Sequence, residues 1–261
     1  MTTSKPSTAA ERIDDLMERA SVELVARRYF DAERNALEAL ELAHRAGDFE
    51  RMARILLPLQ ECRRQKRDLA ADTRDRFRIT ADLPKPADIQ PGFYLVEPPR
   101  DGLDGRSLRE TADRQGVPII VVTREPTTRD GKWPIVSLGP VVVRTRIDPP
   151  PAKAPPGRRA TASRRAKSPS LKAPPLPPIA WFLAAGEALG DRAIADAEER
   201  ARNPIALLEE LYLRLAAVPD HEKLHQRLAE ACREAAARGL VRSKPVSHLG
   251  DDELDPDEGG N

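Results

Sequence analysis

The sequence predicts a mixed, mainly α fold, with antiparallel helices at both ends and a small α/β module between them. Three observations predict it. Apolar residues recur at helical spacing from Ile13 to Leu56 and again from about Ile179 to Ala235. Between about Phe77 and Ile147 the period changes, and short apolar runs flank a single helical stretch. Ten of the 25 prolines fall within residues 149–178, where they mark a seam rather than a packed element. The chain is 40% hydrophobic but only 4% aromatic. Much of that apolar content is Ala and Leu, strong helix formers that allow close helix packing.

Residues 1–9 are Ser/Thr-rich and expected to be disordered. A first helix is predicted from Ala10 to about Arg28, with Ile13, Leu16, Met17, Ala20 and Leu24 on one face. After a break near Tyr29–Asp31, a second runs to Ala46. Its face is built from Ala32, Ala36, Ala39, Leu40 and Ala43, and Gly47 suits its end. A third starts near Asp48, and Pro58 is expected to kink it. These helices make up a segment spanning 10–76.

An α/β module is predicted over 77–148. Phe93 to Val96 reads as a short strand, and "LDGRSLRETADRQG" as a helix closed by Gly116. "VPIIVVT" is a continuous apolar run of the kind found in buried parallel strands. "PIVSLGPVVVRTRI" reads as one or two more strands, broken at Gly139-Pro140. The order strand–helix–strand predicts a βαβ unit.

Residues 149–178 carry seven Lys/Arg and no acid, which predicts an extended, disordered linker. A C-terminal segment of four helices is predicted over 179–240. "WFLAAGEALGDRAIADAEERA" is expected to break into two helices near Gly190-Asp191. Asn203-Pro204 opens the next helix, and the last begins at Asp220 and ends near Arg238. A disordered acidic tail is predicted over 241–261, with six acids between Asp251 and Glu258.

The stretch "YFDAERNALEALELA", with Tyr29 followed by Ala32, Ala36, Ala39 and Leu40, resembles a tetratricopeptide repeat (TPR). In that family a large residue followed by small ones lets the second helix of the repeat lie close to the first. The family's Trp, Leu and Gly positions are held here by Leu16, Arg19 and Ala20, and its helix-ending Pro by His44. The resemblance covers one fair repeat and a degenerate second one from Gly47. It implies a surface that binds peptides or partner helices.

"HEKLH", residues 221–225, fits the H-E-x-x-H pattern, in which two histidines four apart hold zinc and the glutamate activates its water. Its setting argues for a chance match. Asp220 is placed as an N-cap, so an acid in the first helical turn suits the helix dipole. Leu224, Leu228, Ala231 and Ala235 form the apolar stripe. His221 falls at its edge, His225 further out, and Glu222 on the solvent side. A catalytic zinc also needs a third ligand. Glu230 and Glu234 share the helix with the pair, and His248 lies in the expected tail.

A second candidate lies at the strand ends, where small-ligand sites form in parallel sheets. There Glu97, Arg100, Thr123, Arg124 and Glu125 could converge either as a salt-bridged edge or as a ligand site. A third is the linker. Arg158, Arg159, Arg164, Arg165 and Lys167 could neutralise phosphates of a nucleic acid through residues 153–172, without an aromatic residue to stack on bases. Cys62 and Cys232 read as buried small hydrophobes.

No phosphate-cradle or serine-elbow motif is present, so no cofactor is expected. The apolar runs are too short for a membrane helix and no signal-peptide core is seen, which predicts a cytoplasmic protein. The leading expectation is a non-enzymatic interaction or scaffold protein with a protein partner. The alternatives are a nucleic-acid-associated protein acting through its linker, and an enzyme or small-ligand binder at the strand ends.

Overall fold

The computed structural model describes residues 8–151 and 175–240. Thr8 and Glu11 close a capping box, with Glu11 N–H donating to the Thr8 hydroxyl (3.2 Å) and Thr8 N–H to the Glu11 carboxylate (2.8 Å). The first helix, α1 (Ala9–Val25), therefore begins inside the segment expected to be disordered. Its partner α2 (Tyr29–Ala46) begins at Tyr29, where the sequence suggests a break, because the turn comes three residues earlier. Gly47, at φ 68°, ends α2 in the left-handed region that glycine adopts at little cost. Asp48 then caps α3 (Phe49–Thr73) by accepting from Arg51 N–H at 2.9 Å. The α3 helix runs through Pro58 for 25 residues.

Five strands follow in the spatial order β1-β2-β3-β4-β5: β1 (Arg76–Ile79), β2 (Gly92–Val96), β3 (Ile119–Arg124), β4 (Trp133–Leu138) and β5 (Val142–Ile147). The first three are parallel, and β4 and β5 are antiparallel additions. α4 (Gly102–Gln115) connects β2 to β3, giving the expected βαβ order. β1 is a strand that the sequence reading lacks. Its Phe77 and Ile79 pack with Tyr94 and Val96 against Leu108 and Ala112 of α4. On the opposite face, Phe93, Leu95, Ile120, Val122, Ile135 and Val143 join the main core with the helices.

Three helices, not four, form the C-terminal part: α5 (Ile179–Arg200), α6 (Pro204–Ala217) and α7 (Glu222–Ala237). α5 is continuous through Gly190-Asp191. Gly190 marks a close approach rather than a break, since a Cβ there would lie 1.9 Å from the His221 ring. Asn203 caps α6 by accepting from Ala206 N–H at 2.8 Å. α7 starts at Glu222 with His221 in the cap position, so Asp220 is not its N-cap.

The end of the expected linker is also packed. Leu176 is 6% exposed, and the carbonyls of Pro175 and Pro177 accept from Arg78 (3.2 Å) and Arg76 (2.9 Å). Arg158, Arg159, Arg164, Arg165, Lys167 and His248 lie outside the described residues.

The two helical groups share one apolar core with the sheet. His44 of α2 stacks on Tyr212 of α6 at 3.9 Å, and its Nε2 lies 2.8 Å from Glu209. Among the described residues no helix is long and apolar enough to cross a membrane.

Two glycines one turn apart on α5 give opposite expectations. A Cβ at Gly186 meets nothing within 4 Å, so Gly186→Ala gains helix propensity, roughly 0.5–1 kcal/mol of stability. Gly190→Ala drives a methyl into the buried His221 ring and costs about 1–3 kcal/mol. Urea unfolding of both variants checks the pair. Equal shifts of the same sign would contradict the packing described.

Candidate functional site

The sequence-predicted strand-end residues do not meet at one point. Glu97, buried at the end of β2, accepts from Arg124 Nε at 2.7 Å and is also paired with Arg78 of β1. The Arg124 guanidinium lies 4.4 Å over the Trp133 ring. Glu125 turns away to Arg144 of β5, which donates to it twice, at 2.7 and 2.8 Å. Arg100 reaches Asp82 (3.1 Å), Asp104 (3.4 Å) and the Ala81 carbonyl. Thr123 is buried beneath α4. The sheet order runs without a reversal, so the crevice that a topological switch point opens is missing here. Arg78 completes the Glu97 cluster, and sequence reasoning missed it along with β1.

The histidine pair sits elsewhere, at the middle of the molecule. His221 is 2% and His225 1% exposed, so neither lies at the margin of the helix. α7 packs against α3 as well as α5 and α6, which widens its buried arc beyond the stripe read from sequence. Glu222 is held by Arg67 of α3 rather than pointing to open solvent. His225 Nδ1 lies 2.9 Å from the His221 carbonyl, which can only accept, so the proton is on Nδ1. Its Nε2 is then the acceptor for Arg63 at 3.1 Å. A lone pair engaged by Arg63 is not available to a metal. Among the described residues no three His, Cys, Asp or Glu side chains are placed to hold one.

Arg63 also donates to Glu33 of α2 at 2.7 Å and to the Pro219 carbonyl at 3.4 Å. Lys66 bridges Glu33 and Asp113 of α4, at 2.6 Å to each. Burial alone would raise the Glu33 carboxyl, but Arg63 and Lys66 overcome it and hold it at about 2. Burial, reinforced by Arg63, pushes His225 down to about 3. Burial pushes the Cys62 and Cys232 thiols up to about 12, so neither is a ready nucleophile.

The turn joining α6 to α7 is the common target of these groups. The Ala217 carbonyl accepts from Ser137 Oγ (2.6 Å) and Arg109 (3.3 Å), Pro219 from Arg63, and Asp220 from Arg67 (3.3 Å). His221 accepts from His225. The donors come from β4, α4, α3 and α7.

One large concave surface opens on the outer side of this helical junction. Met17 and Leu24 of α1, Leu56 and Leu57 of α3, and Ala229 and Ala236 of α7 border a groove of about 1320 Å³. Glu50, Glu61 and Glu230 alternate on its walls with Arg54 and Arg233. Leu57 is 72% exposed. The sequence carries a signal for this surface in Leu57, which stands off the helix face defined by Met52, Ala53 and Leu56. The contribution of α7 has no such signal.

Comparison with known protein families, curated proteins and solved structures finds no match to this chain.

The buried network makes stability depend on pH with a definite sign. His225 is protonated more readily unfolded, near 6.5, than folded, near 3. Its contribution is therefore full above 6.5 and is lost as pH falls, at up to about 1.4 kcal/mol per unit. Glu33 adds a loss in the same direction between 4.5 and about 2. Urea unfolding across this range should show stability falling from pH 6.5 downward, with a shallower slope for His225→Gln. A flat profile above pH 4.5 would contradict the buried, neutral His225.

Proposed function

We propose that this chain is a cytoplasmic, non-enzymatic adaptor whose α1–α3–α7 groove takes an amphipathic helix from a protein partner. The observation that carries this reading is the groove itself, apolar along its floor, with Leu57 exposed at its edge. Its volume corresponds to a cylinder about 10 Å across and about 17 Å long, or roughly three turns of helix. Walls of mixed charge suit a ligand helix with an apolar stripe and both signs of charge on its flanks.

The TPR-like character of α1 and α2 supports the same reading. Ala32, Ala36, Ala39 and Ala43 are all buried, and their small side chains let α2 lie close to its neighbours. That close packing leaves α1 and α3 presenting one concave surface, the way a helical-repeat protein offers a groove.

A photoreactive side chain in place of Leu57 tests this, with one in place of the exposed Leu103 on α4 as control. Cross-links from position 57 are expected to map to one amphipathic helical segment of a partner. They should be lost when Ala236, exposed in the groove, is changed to Arg. Equal trapping at both positions, trapping of non-helical segments, or indifference to Ala236→Arg would overturn the adaptor reading.

A further inference from the structure

A second cavity lies on the other side of the α6–α7 turn. β3 and β4 pair at Thr123–Val136 and Arg124–Ile135, with Glu125 N–H donating to the Pro134 carbonyl just beyond, and toward Ile119 and Leu138 the two strands part and keep their other neighbours, β2 and β5. Arg109 of α4 and the turn close on this opening, leaving a cavity of about 60 Å³. Exposed Leu183 and Glu187 of α5 stand at its mouth.

Three of its polar groups lack matched partners. His221 is buried, and neither ring nitrogen has a hydrogen-bond partner. Its Nε2 lies 3.4 Å from Glu187 and 3.5 Å from Asp191, within ion-pair range but without hydrogen-bond geometry. Among the described residues Arg109 makes two long bonds, both 3.3 Å, to the carbonyls of Ala217 and Leu138. Asp220 attracts Arg109 electrostatically, yet the two form no ion pair among the described residues. Both residues are half-buried, and burial raises the Asp220 carboxyl and lowers Arg109.

A cation and an anion separated by a cavity suit a ligand that carries both charges. The lining also holds Arg67 and Ser137, both hydrogen-bonded to the α6–α7 turn, and the apolar Ile120, Val122, Phe182 and Leu189. The volume equals about four or five water-sized sites, close to the five or six heavy atoms of the smallest amino acids.

We propose that this cavity binds a small zwitterionic α-amino acid of glycine or alanine size, its carboxylate on Arg109 and its ammonium on Asp220. The apolar part of the wall takes the side chain. Gly186 lines the cavity with open space at its Cβ position, which leaves the entrance clear.

Calorimetric titration of the full chain with glycine and L-alanine tests this, against acetate, methylammonium and L-leucine. Saturable binding is expected at a Kd of about 1 mM or below for glycine or alanine, and at least about tenfold weaker for the three controls. Asp220→Asn, which keeps shape and removes charge, should weaken alanine binding at least about tenfold. Gly186→Met, placed on a helix where a side chain meets no neighbour, should block the mouth and keep the fold, so it decides the matter if the Asp220 variant fails to fold. The absence of saturable heat, meaning that the cavity holds water only, would overturn the proposal. So would acetate or methylammonium binding as well as alanine, or alanine binding unchanged by both substitutions.

Discussion

Most of this structure depends on the need to satisfy the backbone of one buried turn. The segment joining α6 to α7 is enclosed by α3, α4, β4 and α5, so its carbonyls are largely shielded from water. Each buried carbonyl left unpaired would cost about 1–3 kcal/mol. Ser137, Arg109, Arg63, Arg67 and His225 supply the missing donors from four different elements. The N-terminal helices, the sheet and the C-terminal helices are thereby referenced to the same four residues of chain. Gly190 lets α5 approach closely enough to enclose the turn from its remaining side.

Placing arginines in that interior creates a second requirement. A buried guanidinium is tolerated only when its charge is matched and its several N–H groups are used. Arg63 meets this by donating to Glu33, Pro219 and His225 at once. Arg67 meets it through Glu222 and the Asp220 carbonyl. Arg109 meets it least well, and the cavity lies beside it. The groove forms where α3 and α7 turn their other faces outward. The network that fixes those two helices against each other therefore also fixes the shape of the groove.

Much of the secondary structure was legible, and the reasons for the failures are specific. The runs Phe93–Val96 and "VPIIVVT" are apolar enough to declare buried strands. β1 alternates Arg with Phe and Ile over only four residues, so its polar face hid it, and Arg78 was lost from the Glu97 cluster with it. Gly190-Asp191 looked like a helix break because glycine serves both breaks and close contacts, and only the partner, His221, distinguishes the two. His225 was placed too far from the core because a helical wheel drawn on one apolar stripe assumes one neighbour, and α7 has several. Arg63 and Arg109 are not singled out by the sequence at all. Their acceptors on the α6–α7 turn lie more than a hundred residues away, and nothing local marks them.

If the α6–α7 turn ties all three parts together, they unfold as one. Both tryptophans, Trp133 on β4 and Trp181 on α5, report on the seam between sheet and C-terminal helices, while far-ultraviolet circular dichroism is dominated by the helices α1 to α7. Equilibrium urea unfolding followed by both signals is the most direct measurement. Superimposable curves with one midpoint are expected. Separate transitions, with helical signal surviving after the tryptophan signal is lost, would contradict it.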